Sequence, residues 1–310
     1  MEEEEEKPKR ILIPGLIFIF FVIALLIIYW LVPFNEIEFT QKPSHSNFSL
    51  DNYNPEEMQF YPNMRYPNSK ISYKIEDCGL QKTQDMEHAF EIISNITILE
   101  FYPVNSNQEI SVTCEEKNRF KDNLFIAGEG GPTNITKTDK FNVILNGKVL
   151  LIKKSQCSKP NIAIHELLHS LGFAHSENPK NIMYNYSKCS QTIGDHIPQL
   201  INQLYTTPSY ADLNIEDVSA TIKKNYLDIN ISIRNEGLKK SEISNLKIYT
   251  EDEIIKEIEI SKLPIGHRTK IILQNLFIKQ SNTNELKTLI TYNYEELDKS
   301  NNEVILKIKK

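Results

Sequence analysis

No Cys-x-x-Cys pair occurs in the 310 residues, which argues against a zinc site built from clustered thiolates. A basic excess is missing too: 35 Lys and Arg stand against 41 Asp and Glu, a net charge of −6 with pI near 5.8. Without a basic stripe the chain has little to neutralise phosphates, which argues against a nucleic-acid partner. Glycine is scarce, at 10 residues, beside plentiful Ile, Asn and Lys, a bias of coding composition rather than a functional signal. The acidic run in MEEEEEKPKR is a solvated tail. With 40% hydrophobic and 25% charged residues, the remainder suits folded domains, about two at this length.

Between Ile11 and Val32 there is no Asp, Glu, Lys, Arg or His. At ~1.5 Å per residue this run spans roughly 33 Å as a helix, enough for a ~30 Å hydrocarbon core. It exceeds the ~7–15 residue core of a cleaved signal peptide, and Trp30-Leu-Val-Pro-Phe34 offers no small-x-small cleavage site. Tyr29 and Trp30 suit the headgroup region at its far end. Lys7, Lys9 and Arg10 precede it, and Glu36 and Glu38 follow. The expectation is a cytoplasmic tail over 1–10, a transmembrane signal anchor in the lipid bilayer over 11–32, and a cell-membrane protein with all later residues outside. A rival is a secreted form freed near residue 33. Cys78, Cys114, Cys157 and Cys189 all lie beyond the anchor, an even number suited to two disulfides in an oxidising compartment. Three pairings are possible; pairing of sequence neighbours would join 78 to 114 and 157 to 189. Sequons at Asn47, Asn95, Asn134, Asn185 and Asn230 permit glycosylation.

Residues 33–64, rich in Pro, Asn and Ser, read as a stalk. Lys70–Ile75 alternates as a strand, and Thr83 could cap a helix with Met86, Ala89, Phe90 and Ile93 on one face. Ile96–Tyr102 and Glu109–Thr113 are strand-like, Gly128-Glu-Gly-Gly-Pro132 reads as a loop, and Phe141–Leu151 as a hairpin turning at Asn146-Gly147. A helix begins near Pro160, and another runs from about Asp195 to Tyr205 with Ile197, Leu200, Ile201 and Leu204 inward. This is an α+β unit over 65–208. From 209 to 310 come about seven short strands with turns roughly every ten residues, as in an immunoglobulin-like β-sandwich.

The chemistry concentrates in His165-Glu-Leu-Leu-His169-Ser-Leu-Gly172-Phe-Ala-His175. On a helix, His165 and His169 stand one turn apart on one side, so both imidazoles can reach one Zn²⁺. Gly172 suits a helix end with positive φ, returning the chain so that His175 meets the same ion. Three neutral nitrogens leave a fourth position for water, as in catalytic rather than structural zinc sites. Glu166 is placed to accept that water's proton as general base. His45, His88, His196 and His267 read as surface or packing residues.

The stretch from His165 to His175 resembles the metzincin motif in full, and Ser176-Glu-Asn-Pro-Lys-Asn-Ile-Met183-Tyr resembles the matrixin Met-turn. Arg65-Tyr-Pro, Ile71-Ser-Tyr and the helix around Met86–Ile93 resemble the start of a matrixin catalytic domain. The resemblance covers about 65–207. It implies a mixed twisted sheet with two long helices, Met183 as a structural floor beneath the zinc, and endopeptidase action on extended polypeptide substrates. It also implies that structural Ca²⁺ or a second Zn²⁺ can bind, with Glu129 and Asp139 as candidate oxygen donors. Two departures stand out: residues 33–64 hold no Cys to cap the zinc, and Asn185 replaces a frequent Pro two residues past the Met.

Ala211-Asp-Leu, Arg234-Asn-Glu-Gly237, Leu263-Pro-Ile-Gly266 and Glu295-Glu-Leu-Asp-Lys-Ser-Asn-Asn302 resemble the CARDB module, an immunoglobulin-like domain of bacteria and archaea. That resemblance implies spacing, or docking to substrate or a cell-surface partner. The chain is expected to be a membrane-anchored, outward-facing zinc endopeptidase. The alternative is a catalytically silent adhesion protein on a metzincin scaffold, which the intact Glu166 disfavours.

Overall fold

The structure is a computed structural model that describes residues 20–24, 37–38, 58–117, 119–121, 124–223, 225–251, 253–279 and 285–307. The anchor expected over 11–32 lies outside these apart from a helical stretch at 20–24. Among the described residues no helix is long and apolar enough to cross a membrane.

The first domain is built around a six-stranded sheet, beside which Arg119–Lys121, Leu124–Ile126 and Ile37–Glu38 form a small second one. The six strands are β1 (Met64–Arg65), β2 (Lys70–Glu76), β3 (Glu100–Pro103), β4 (Ile110–Cys114), β5 (Gly128–Lys137) and β6 (Asn142–Leu151). The order is β3-β2-β4-β6, all parallel, with β1 beside the first residues of β6. β5 lies antiparallel on the other side of β6 and forms that edge of the sheet. Helix α1 (Leu80–Ile96) packs Met86, Ala89, Phe90 and Ile93 inward, and Phe90 stacks on Tyr73 of β2 with ring centroids 4.1 Å apart. Helix α2 (Asn161–Ser170) is buried along its whole length. Helix α3 (His196–Leu204) turns Ile197, Leu200, Ile201 and Leu204 into the core.

Several local expectations change, each for a tertiary reason. Phe141–Leu151 is no hairpin: Asn146 and Gly147 lie inside β6, with Gly147 paired to Ile110 on one side and Pro132 on the other. Glycine serves there because the Tyr66 Oη and the Ser170 carbonyl come so close that a Cβ would sit 2.4 and 3.2 Å from them. Gly128–Pro132 is likewise not a loop but the first half of β5. Helix α1 starts at Leu80, ahead of Thr83, with Gly79 as N-cap and no side-chain cap. Its entry is held instead by the disulfide from Cys78 to Cys114 at the end of β4. Met58–Met64, assigned above to the stalk, is part of the domain: Gln59 bridges to Phe173, and Met64 is buried.

Arg65 fastens the two ends of this domain. Its guanidinium donates to the carbonyls of Leu204 at 2.6 Å and Thr207 at 2.9 Å, and lies 4.2 Å over the Tyr205 ring.

The second domain is a sandwich of seven strands: β7 (Leu213–Lys223), β8 (Tyr226–Asn235), β9 (Ser244–Thr250), β10 (Glu253–Ile260), β11 (Arg268–Phe277), β12 (Glu285–Thr291) and β13 (Glu303–Lys307). One sheet is β7-β8-β11 and the other β10-β9-β12-β13. Strict alternation in β8 puts Leu227, Ile229, Ile231 and Ile233 into the core against Leu246, Ile248, Leu286 and Ile290 of the facing sheet.

Because the new methyl would meet backbone and a buried phenol, Gly147→Ala is expected to cost ~1–3 kcal/mol. Urea denaturation followed by circular dichroism measures this; an unchanged midpoint would show that Tyr66 yields without cost.

Candidate metal centre

Helix α2 carries His165, Glu166 and His169, and the chain leaves it through Leu171 and Gly172, whose φ of +95° reverses the direction. His175 thereby returns to the other two. One ring nitrogen from each of the three histidines lies within 4.8 Å of the others. Among the described residues this is the one group of three or more His, Cys, Asp or Glu side chains that could share an ion.

The ring nitrogens have different duties. His165 Nδ1 lies 2.6 Å from the Ile182 carbonyl, and His169 Nδ1 lies 2.7 Å from the Phe173 carbonyl. A carbonyl only accepts, so each Nδ1 carries the proton and each Nε2 presents its lone pair to the shared space. This is the outer-sphere arrangement that orients imidazole ligands and raises their basicity. His175 Nε2 is buried with no hydrogen-bond partner among the described residues. The donor set fits a borderline-soft divalent cation such as zinc.

Burial keeps these rings neutral. It pushes His165 well below the ordinary imidazole value, His169 down to about 3 and His175 to about 4, and for the first two the neighbouring imidazoles add to the effect. Glu166 is fully buried, and neither carboxylate oxygen has a hydrogen-bond partner among the described residues. Burial, and secondarily the charge of Glu129, raise its pKa well above the usual carboxylate range.

Residues around the histidines complete the site. Met183 is buried; its carbonyl accepts from the N–H of Ser176, which follows His175, while its neighbour Ile182 holds His165. The turn therefore ties the first ligand candidate to the chain after the third. The Cys157–Cys189 disulfide closes the same loop onto the approach to α2. Buried Gln191 bonds to the carbonyls of Pro179 and Tyr186 and to the N–H of Lys188. Asn185, at the position of the frequent Pro, has a buried Oδ1 with no hydrogen-bond partner among the described residues.

Sequence reasoning missed two neighbours. Phe60 stacks on His169 at 5.9 Å, and the Met58–Phe60 backbone bonds to Gly172 and Ala174. Gly128 and Gly130 of β5 lie against Glu166: a Cβ on Gly130 would sit 2.2 Å from the Glu166 carbonyl oxygen, and one on Gly128 2.7 Å from its Cγ. The Gly-x-Gly spacing carried that signal, since alternate residues of a strand face one way. Glu129 and Asp139 are not brought together. Glu129 pairs with Arg119 at 3.0 Å, and Asp139 lies in the turn beyond the opposite end of β5, bonded to Glu236. His88, His196 and His267 are exposed and apart from the cluster; His45 lies outside the described residues.

Residues 65–206 match the Matrixin family model, and residues 210–305 match the CARDB model. Among solved structures, myroilysin is similar at 11% identity and a TM-score of 0.36, covering 55% of this chain and 90% of that one. A CARDB domain from Pyrococcus furiosus, solved in complex with di-metal ions, is similar at 10% identity and a TM-score of 0.28, covering 32% and 87%.

The depressed histidine values set the acid behaviour of chelator-treated protein. Between the unfolded value of 6.5 and the folded values of about 4 and 3, the unfolded chain binds protons that the folded site refuses. These histidines should therefore make stability fall as pH drops from 6.5 through the folded values of about 4 and about 3. Thermal melts across that range check this, and the slope should flatten in His169→Asn.

Proposed function

With residues 65–206 a matrixin domain and residues 210–305 a CARDB domain, we propose that this chain is a zinc-dependent endopeptidase. The observation that carries this reading is the convergence of His165, His169 and His175 beside a fully buried Glu166. His165, His169 and His175 would hold the ion through Nε2. Zinc, when bound, supplies Lewis acidity: it makes water a stronger proton donor at neutral pH and polarises a carbonyl.

The remaining work belongs to the chain. Glu166 takes a proton from the attacking water at its carboxylate and returns it to the amine nitrogen of the departing product. A carboxyl raised by burial is suited to both halves of that transfer. β5 pairs with β6 on one side only among the described residues, so its other edge can receive an extended polypeptide as an added strand. Met183 supports the site from the turn and takes no part in the chemistry. The reading also places the enzyme outside the cell, held to the membrane by the apolar run at 11–32.

A catalytically silent binding protein is the weaker alternative. A fully buried carboxyl without a hydrogen-bond partner is costly, and a binding scaffold has no use for it.

The purified 310-residue chain incubated with an unfolded protein should cut it, stop on chelation and recover on zinc addition. Glu166→Gln should lower kcat by about 10²–10⁴-fold while keeping zinc. A zinc-loaded wild type that cuts nothing across a broad peptide library would sink the peptidase reading; equal cutting by Glu166→Gln would sink the base assignment. For topology, a reporter fused after residue 310 should read extracytoplasmic, and a cytoplasmic signal would overturn the placement.

A further inference from the structure

The sandwich is docked on the catalytic domain through a specific set of contacts at the turn between β5 and β6. Arg234, near the end of β8, donates from Nη2 to the Lys137 carbonyl at 2.6 Å and from Nε to the Gly266 carbonyl at 3.0 Å. Its Nη1 reaches Glu236 Oε1 at 2.8 Å. Glu236 in turn accepts the backbone N–H of Asp139 on Oε2, also at 2.8 Å. One ion pair of the sandwich thus grips both sides of the turn, a carbonyl at its start and an N–H within it.

Apolar contact and close approach surround that grip. Phe141 and Val143 of the catalytic domain share a buried cluster with Leu238 of the sandwich, flanked by Leu145, Ile265 and Leu297. Gly266 approaches so near that a Cβ would stand 2.1 Å from Thr136 Cγ2. Domains joined by a linker move relative to one another by default unless an apolar contact and satisfied polar groups hold them. Both are present here, and Glu236 is only 6% exposed.

The gripped turn is one end of β5, whose other end carries Gly130 and Gly128 against Glu166. From Lys137 to Gly130 the strand spans roughly 23 Å at ~3.3 Å per residue. One edge of the strand is bonded to β6, and among the described residues the turn at 138–141, the contact with α2 and the Arg119–Glu129 ion pair bear on the rest of it. We infer that Arg234 and Glu236 are positioning residues of the peptidase, through which the sandwich holds the strand that flanks Glu166 and receives the substrate. The sandwich is then part of the catalytic unit rather than a spacer.

This inference rests on the endopeptidase reading, and its test separates the two. In the full 310-residue chain, Arg234→Ala and Arg234→Lys are compared with wild type in three measurements. These are kcat and KM on an unfolded protein, zinc affinity against a competing chelator, and hydrogen exchange across 128–137. Arg234→Ala should speed exchange in that segment by about tenfold. It should raise KM at least ~5-fold while zinc affinity stays within ~2-fold of wild type. Arg234→Lys should recover part of the loss, since an ammonium can still reach the Lys137 carbonyl but not Gly266 and Glu236 together. Wild-type KM and wild-type exchange in Arg234→Ala would overturn the inference. Should that variant fail to fold, Glu236→Gln is read by the same measurements, with a smaller rise expected. If wild type itself cuts nothing, the peptidase reading falls, and the exchange measurement alone decides whether the sandwich holds the strand.

Discussion

Two short hydrogen bonds govern the candidate metal centre: His165 Nδ1 to the Ile182 carbonyl and His169 Nδ1 to the Phe173 carbonyl. Each fixes a tautomer and a ring orientation at once, and each is made to a segment that must itself be held still. Ile182 lies in the turn before Met183, which is stitched to Ser176, closed by Cys157–Cys189 and filled by Gln191. Phe173 lies in the reversal after Gly172, which is paired with Gln59 and covered by Phe60. The loop architecture of residues 171–191 therefore follows from the need to hold two carbonyls against two imidazoles. Burial of α2 further disfavours the charged form of its two imidazoles.

Burying a helix on every side demands close neighbours. Gly147 lets β6 pass beneath the Ser170 carbonyl, with Tyr66 Oη donating to that carbonyl at 3.1 Å. Gly130 lets β5 touch the Glu166 backbone from another side. In a chain with only 10 glycines, these stand where strands meet the metal helix. The cost of an unbonded, buried Glu166 carboxyl is borne within this tightly packed layer, a local conflict of the kind expected at a functional site. Its raised pKa follows from the same packing.

The sandwich shows a different economy. Its core comes from plain alternation, two inner faces of Leu and Ile, in a cluster that holds no residue of the first domain. Its contribution lies at one end, where Arg234, Glu236 and Leu238 meet the β5–β6 turn. A domain with no cluster of metal-ligating side chains among its described residues thus meets the strand whose far end lies against Glu166.

Much of this was legible in the sequence because it depends on short-range periodicity. A four-residue separation puts His165 and His169 on one helix face, a glycine three residues later suits the reversal, and period-two runs after Leu213 spell out a sandwich. The inward face of α3 follows from the same local logic, whereas the sequence left three disulfide pairings open and the fold selects 78–114 and 157–189. What the sequence could not express was distance between remote segments. Asn146-Gly147 has the composition of a tight turn, and Gly128–Pro132 that of a loop, yet both are strand because a buried helix presses on them. Met58–Met64 has a stalk's composition and is nonetheless pinned beside Phe173. By itself the sequence determined which residues could bind a metal and which faces would be buried. Only the tertiary structure decided which carbonyls orient those ligands, which glycines make room for them and where the sandwich takes hold, because each is a contact between parts of the chain far apart in sequence.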